Sequence, residues 1–123
     1  RGGKGRTNYH PEAVAEAAAQ LAKAGLPGRL MVDCSHGNSN KDYRRQGDVA
    51  QQVAEQLRSG STHVMGVMLE SHLVAGNQAI QADRSQLTYG QSVTDACIDL
   101  ATTAAVLEQL AQAVRDARGA VSV

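Results

Sequence analysis

The chain has 123 residues, enough for one small domain, and it carries 12 basic and 12 acidic residues, so its formal charge is zero. That balance gives no electrostatic footprint for DNA, RNA or an anionic membrane. Three Tyr with no Trp or Phe leave no stacking platform for single-stranded nucleic acid. No apolar run approaches the roughly 18 residues a membrane span needs, and no basic-then-apolar leader opens the chain. The two cysteines, Cys34 and Cys97, form no close motif. They suit a reducing cytosol better than a disulfide framework, so a cytoplasmic location is expected.

Residues 1–10 read as a Gly-rich polar loop. The opening Arg1-Gly2-Gly3, without an initiator Met, is expected to be the interior of a longer chain. A helix should start near Pro11, whose missing N–H costs nothing in a first turn. Val14, Ala17, Ala18 and Leu21 line its apolar side, and Gly25 and Pro27 stop it. The short apolar run at 29–34 predicts a buried strand, followed by the polar loop 35–40. A second helix is expected over about 42–58, with Val49, Val53 and Leu57 recurring every four residues and Gly60 closing it. Residues 63–69 read as a second buried strand, in which Gly66 suggests close approach by a neighbour. A long loop from 70 to about 98 then precedes a last helix from about Asp99 to Arg118. Asp99 is the expected N-cap, and Leu100, Ala104, Leu107, Ala111 and Val114 form the expected apolar stripe.

Strands alternating with helices imply an α/β fold with parallel strands and right-handed crossovers. Both strands are apolar almost throughout, which predicts cover on both faces. Two or three strands cannot cover themselves that way, so the pattern asks for more barrel or sheet than 123 residues contain. Met31, Met65 and Met68 read as core packing.

In parallel α/β folds, sites form at the C-terminal ends of strands. Three clusters fall there: Arg1-Gly2-Gly3-Lys4, the run from Asp33 to Asn38, and Leu69-Glu70-Ser71-His72. The following loop adds Asp95. A histidine and carboxylates on one rim suit a divalent transition ion, while Arg1 and Lys4 suit a phosphate. Each residue also has a plainer reading. His36 alone is more often a loop residue making a local hydrogen bond, and Glu70 could be a solvated residue closing a strand. Asp95, three residues after Ser92, could belong to a helix-capping arrangement. Arg1 and Lys4 could be surface charges, and Cys34 and Cys97 read as wall residues rather than nucleophiles. His10, His63 and His72 gain no role from their spacing.

The order of the motifs adds context. Arg-Gly-Gly-Lys, Asp-Cys-Ser-His-Gly-Asn-Ser-Asn-Lys, Gly-Val-Met-Leu-Glu-Ser-His-Leu, Gly-Asn-Gln and Leu-Thr-Tyr-Gly-Gln-Ser-Val-Thr-Asp-Ala-Cys-Ile follow one another between Arg1 and about Gly119. This succession resembles the class I DAHP synthases of the feedback-regulated bacterial and fungal type. The resemblance implies a partial (β/α)₈ TIM barrel made of its last three βα units, with residues 1–123 as the C-terminal part of a single barrel domain. It implies a transferase that condenses phosphoenolpyruvate with erythrose 4-phosphate, aldol fashion, to give DAHP and phosphate. That is the first step of the shikimate pathway to aromatic amino acids.

The resemblance further implies a divalent metal ion (Mn, Fe, Co or Zn) held by His36, Glu70 and Asp95. It gives His36 and Asp95 catalytic roles and makes Arg1 the ligand of the phosphoenolpyruvate phosphate. The family's fourth metal ligand is a Cys early in the barrel, which neither Cys34 nor Cys97 matches. The 123 residues alone are therefore expected to be inactive. They are also expected to need the missing N-terminal barrel portion, or further copies of themselves, to cover their open edges. The alternatives are an inactive partial-barrel assembly unit and a small metal- or phosphate-binding module.

Overall fold

The computed structural model describes residues 1–120. Helix α1 spans Pro11–Lys23 and starts on Pro at the first helical position, after an extended His10. Val14 and Ala18 are buried, with Ala17 and Leu21 half-buried beside them. The helix ends in a Schellman motif: Gly25 takes φ +76°, its N–H donates to Ala22 O at 3.0 Å, and Leu26 N–H donates to Leu21 O at 2.9 Å.

Strand β1 is Leu30–Asp33. The predicted second helix divides in two. A 3₁₀ turn covers Tyr43–Arg45, with the Asp42 carboxylate accepting from Arg44 N–H, and α2 runs Gln46–Arg58. Asp42 competes with the helix for that N–H and delays the α-helical ladder. Gly60, at φ +91°, closes α2 with a second Schellman pattern, in which Ser61 N–H donates to Gln56 O at 3.0 Å.

Strand β2 is Val64–Met68 and pairs parallel with β1. The partners are Met31 with Gly66, Val32 with Val67 and Asp33 with Met68, after a register shift between Leu30 and Met31. Cys34 N–H donates to Met68 O at 2.9 Å and ends the ladder.

Helix α3 is Leu100–Ala120. Asp99 caps it as expected, its carboxylate accepting from Thr102 N–H at 2.8 Å. The apolar stripe lies partly elsewhere than predicted, with only Ala111 and Val114 of the expected five half-buried. Val106 and Ala113 are buried and Leu110 packs on the core, whereas Leu100, Ala104 and Leu107 face outward. In an Ala-rich helix nearly every face looks apolar, so spacing alone does not choose the buried one. Helix α3 packs against α2, and Arg58 reaches Asp116 at 3.1 Å across them.

The core is one-sided. Val14, Val32, Cys34, Val49, Ala50, Val53 and Val106 form it, on the side of the β1–β2 sheet that faces the helices. The other side is open: Met31 is 59% exposed and Met65 69% exposed. The open face is the one expected where the rest of a barrel is missing, and it corrects the assignment of Met31 and Met65 to core packing. Alternation along the strand sends Val32 to the helices and Met31 away from them. Gly66 has room as well. A Cβ there would sit 3.4 Å from the Met31 methyl, an ordinary contact, so no close approach among the described residues demands glycine.

Residues 70–98 are not a structureless loop. Strands β3, Val74–Asn77, and β4, Gln91–Ser92, pair parallel, and Gly76 and Cys97 exchange two backbone hydrogen bonds of 2.8 and 3.1 Å. Amide side chains complete the scaffold. Gln78 bonds both the N–H and the C=O of Thr88, and Gln91 Nε2 donates to Ala75 O. Among the described residues, no helix is long and apolar enough to cross a membrane.

Candidate metal centre

The ends of β1 and β2 place the first two groups of the site. Past β1 the chain turns sharply, and His36 adopts φ +50°, a left-handed conformation that costs a non-glycine residue free energy. Neighbouring hydrogen bonds hold the turn. Ser35 N–H donates to Asp33 Oδ1 at 2.8 Å, Lys41 N–H to His36 O at 2.9 Å, and Asn38 Nδ2 to Asp33 O at 2.9 Å.

The imidazole is then fixed at one end. His36 Nδ1 lies 2.9 Å from Asp33 Oδ2, and an ionised carboxylate only accepts, so Nδ1 carries the hydrogen. Nε2 faces the other two groups, with Asp95 Oδ2 at 3.2 Å and Glu70 Oε1 at 3.6 Å. One ligand atom from each of His36, Glu70 and Asp95 lies within 4.8 Å of the others. Three electron-pair donors facing one another repel unless a cation or proton sits among them. Metal–ligand bonds of about 2.1 Å put neighbouring ligand atoms roughly 3.0–3.4 Å apart, so the 3.2 Å separation suits an edge of a coordination shell and the 3.6 Å one lies slightly beyond it. The mixed nitrogen and oxygen set fits a divalent transition ion.

Burial grades the three groups: the side chains of His36 and Glu70 are 22% and 28% exposed, that of Asp95 64%. Asp95 sits between β4 and α3 and caps no helix. The Ser92 hydroxyl accepts from Thr94 N–H, and Asp99 does the capping, so the capping alternative for Asp95 falls.

Both thiols line the buried side. Burial, then the charge of Asp33, pushes Cys34 up to about 12. Burial, then Glu70, pushes Cys97 up as well. Neither is an available thiolate at neutral pH.

The Arg1 loop lies against the His36 turn. Asn38 N–H donates to Arg1 O at 2.9 Å, and a Cβ on Gly37 would stand 2.5 Å from Gly2 C, so the two loops meet backbone to backbone. An open basin of about 500 Å³ adjoins them, lined by Arg1, Lys4, His36 and Lys41 among others. Three cations on its wall suit an anion. Two residues that position the site were quoted or passed over without a role in the sequence: Asp33, three residues before His36 in the Asp-Cys-Ser-His run, and Gln46, which bonds the Glu70 backbone. The i,i+3 spacing of Asp33 and His36 was the available signal for the first. Nothing in the sequence marks the second.

Comparison with known proteins fits this geometry. The model of the DAHP synthetase I family matches residues 1–108. The chain belongs to the DAHP synthetase I family. It is 48% identical over 122 residues to the Tyr-sensitive phospho-2-dehydro-3-deoxyheptonate aldolase of Enterobacter agglomerans, covering 99% of this chain and 55% of that protein. It is 50% identical over 112 residues to the Tyr-sensitive aldolase of Escherichia coli K12, covering 91% of this chain and 31% of that protein. The solved structure of the phospho-2-dehydro-3-deoxyheptonate aldolase from Francisella tularensis SCHU S4 superposes with a TM-score of 0.89 at 47% identity, covering 95% of this chain and 33% of that one. The chain thus spans about a third to a half of the length of these relatives, as a mixed α/β segment with parallel strands.

Proposed function

We propose that this chain supplies one rim of a metal-dependent DAHP synthase site, and that it corresponds to the last three βα units of a (β/α)₈ barrel. The observation that carries the reading is the convergence of His36 Nε2, Glu70 and Asp95 in a member of this family. Those three would hold a divalent ion (Mn, Fe, Co or Zn), which when bound supplies Lewis acidity toward an aldehyde oxygen. Asp33 holds the histidine in the tautomer that leaves Nε2 free. Arg1 binds the phosphate of phosphoenolpyruvate with its planar fork, and Lys4 and Lys41 add positive charge to the same basin.

In the complete enzyme, C3 of phosphoenolpyruvate forms a bond to the aldehyde carbon of erythrose 4-phosphate, whose oxygen takes up a proton. Water adds at C2, and phosphate leaves by C–O cleavage, giving DAHP. Asp95 also helps to orient the sugar. The chain's own contribution is positioning.

Transplanting residues 1–108 into the Escherichia coli Tyr-sensitive aldolase, in place of its matching segment, tests the reading. The chimaera should form DAHP from the two substrates, and His36→Ala within it should abolish both metal content and turnover. A chimaera whose metal content and rate are indifferent to His36→Ala removes the residue from the site.

The partner this reading requires is the rest of the barrel or further copies of the chain. The exposed Met31 and Met65 and the two-stranded β1–β2 sheet support it, since exposed apolar area and unpaired strand edges favour association. Sedimentation of the 123-residue chain at low micromolar concentration should show oligomers. A compact, cooperatively unfolding monomer contradicts the partner requirement.

A further inference from the structure

Among the wholly buried side chains, Gln46 is the largest, and it is polar. It is the first residue of α2, beside the apolar core formed by Val49, Ala50 and Val53. A primary amide withdrawn from water must find partners for both its ends. Gln46 spends both on a single residue: Nε2 donates to Glu70 O at 3.0 Å, and Oε1 accepts from Glu70 N–H at 2.8 Å. This is the exchange that a residue of an antiparallel neighbouring strand would make. It comes just past the β1–β2 ladder, which ends with Cys34 N–H on Met68 O two residues before Glu70, and beside the parallel bridge of Ser71 with Ile98. The Glu70 carbonyl also accepts Ile98 N–H at 2.9 Å, so the same oxygen ties down the segment that carries Asp95.

We infer that Gln46 is a positioning residue for the metal centre: its side chain stands in for a strand neighbour and fixes the Glu70 backbone, aiming the Glu70 carboxylate at His36 Nε2. The inference rests on the metal reading of His36, Glu70 and Asp95. Gln46 touches neither ion nor substrate and acts only through Glu70. Losing it frees the backbone at one ligand and loosens the Asp95 segment through Ile98.

The test uses the chimaera described above with Gln46→Met, which keeps the length and removes both partners, beside Val53→Ala, which weakens the same helix without touching Glu70. Hydrogen–deuterium exchange of the metal-free chimaera reads the clamp directly, calorimetric titration with Mn(II) reads affinity, and the visible spectrum with Co(II) reads ligand geometry. Gln46→Met should speed exchange of the Glu70 amide, weaken Mn(II) binding about 10-fold and alter the Co(II) bands. Val53→Ala should lower the unfolding midpoint while leaving the Co(II) bands and Mn(II) affinity in place.

Unchanged Mn(II) affinity and Glu70 exchange in a folded Gln46→Met chimaera overturn the inference alone. An unsubstituted chimaera that binds no Mn(II), or binds it equally well after His36→Ala, overturns the metal reading and the inference together. If Gln46→Met does not fold, the unsubstituted chimaera decides. Protection of the Glu70 amide comparable with that of Val67 in β2, together with Mn(II) binding, supports the clamp, and rapid exchange there overturns it.

Discussion

His36 and Glu70 stand at the ends of paired strands, each held by a buried or half-buried partner, whereas Asp95 reaches the same point from a mostly exposed segment between β4 and α3. Two of the three groups therefore have partners that fix them at their strand ends, and the third meets them from the solvent side. If the three hold an ion as proposed, the site should take its selectivity from the held pair. It should lose more when that pair is disturbed.

Substitution can break this contrast. Glu70→Gln should weaken Mn(II) binding the most, on the order of 100-fold, because it removes a placed charge and ligand. Asp33→Asn should cost about 10-fold, since an amide oxygen still accepts from Nδ1–H but holds it less firmly. Asp95→Asn should cost only a few-fold, its exposed side chain being already solvated before binding. Calorimetric titration of the three variants ranks them. An Asp95 variant weaker than the Glu70 variant reverses the contrast.

The smallest effect concerns Cys34. Its thiol, pushed up to about 12 by burial and then by Asp33, favours the neutral form in the folded chain. The unfolded chain ionises first as pH rises, so the stability from this group is complete below about pH 9 and is lost as pH climbs toward about 12. Thermal melts between pH 8 and pH 10.5 should fall more steeply for the unsubstituted chain than for Cys34→Ala. Parallel slopes would show that the thiol is not the cause.

What the sequence disclosed follows the same division. Pro11, Gly25 and Gly60 bracket α1 and α2, and the apolar runs locate β1 and β2, because local backbone chemistry decides those boundaries. The motif order brought His36, Glu70 and Asp95 to one rim. The pairing within 70–98 stayed hidden because Gln78 and Gln91 hold it through polar side chains, with no alternation of apolar residues to announce it. That one sheet face lacks its cover was legible in the apolar strands, but which residues line it was not, since Met31 and Met65 look alike in a core and on a surface awaiting a partner. The buried face of α3 was partly misread because alanines blur its stripe. Gln46 looked like one more polar residue at a helix start, and only its partner across 24 positions gives it meaning.

The glycine contact has a bearing on how the site can change. Gly2 and Gly37, 35 positions apart, touch through main-chain atoms, and one methyl on Gly37 would lie 2.5 Å from Gly2 C and 2.6 Å from Gly3 N. Alanine there has no flexible side chain to push aside, so it must pry one loop off the other. Arg1 rides on one loop and His36 on the other. The spacing between the Arg1 basin and the His36 cluster is thus gauged by two bare backbones in contact, and the smallest possible enlargement of the chain would reset both at once.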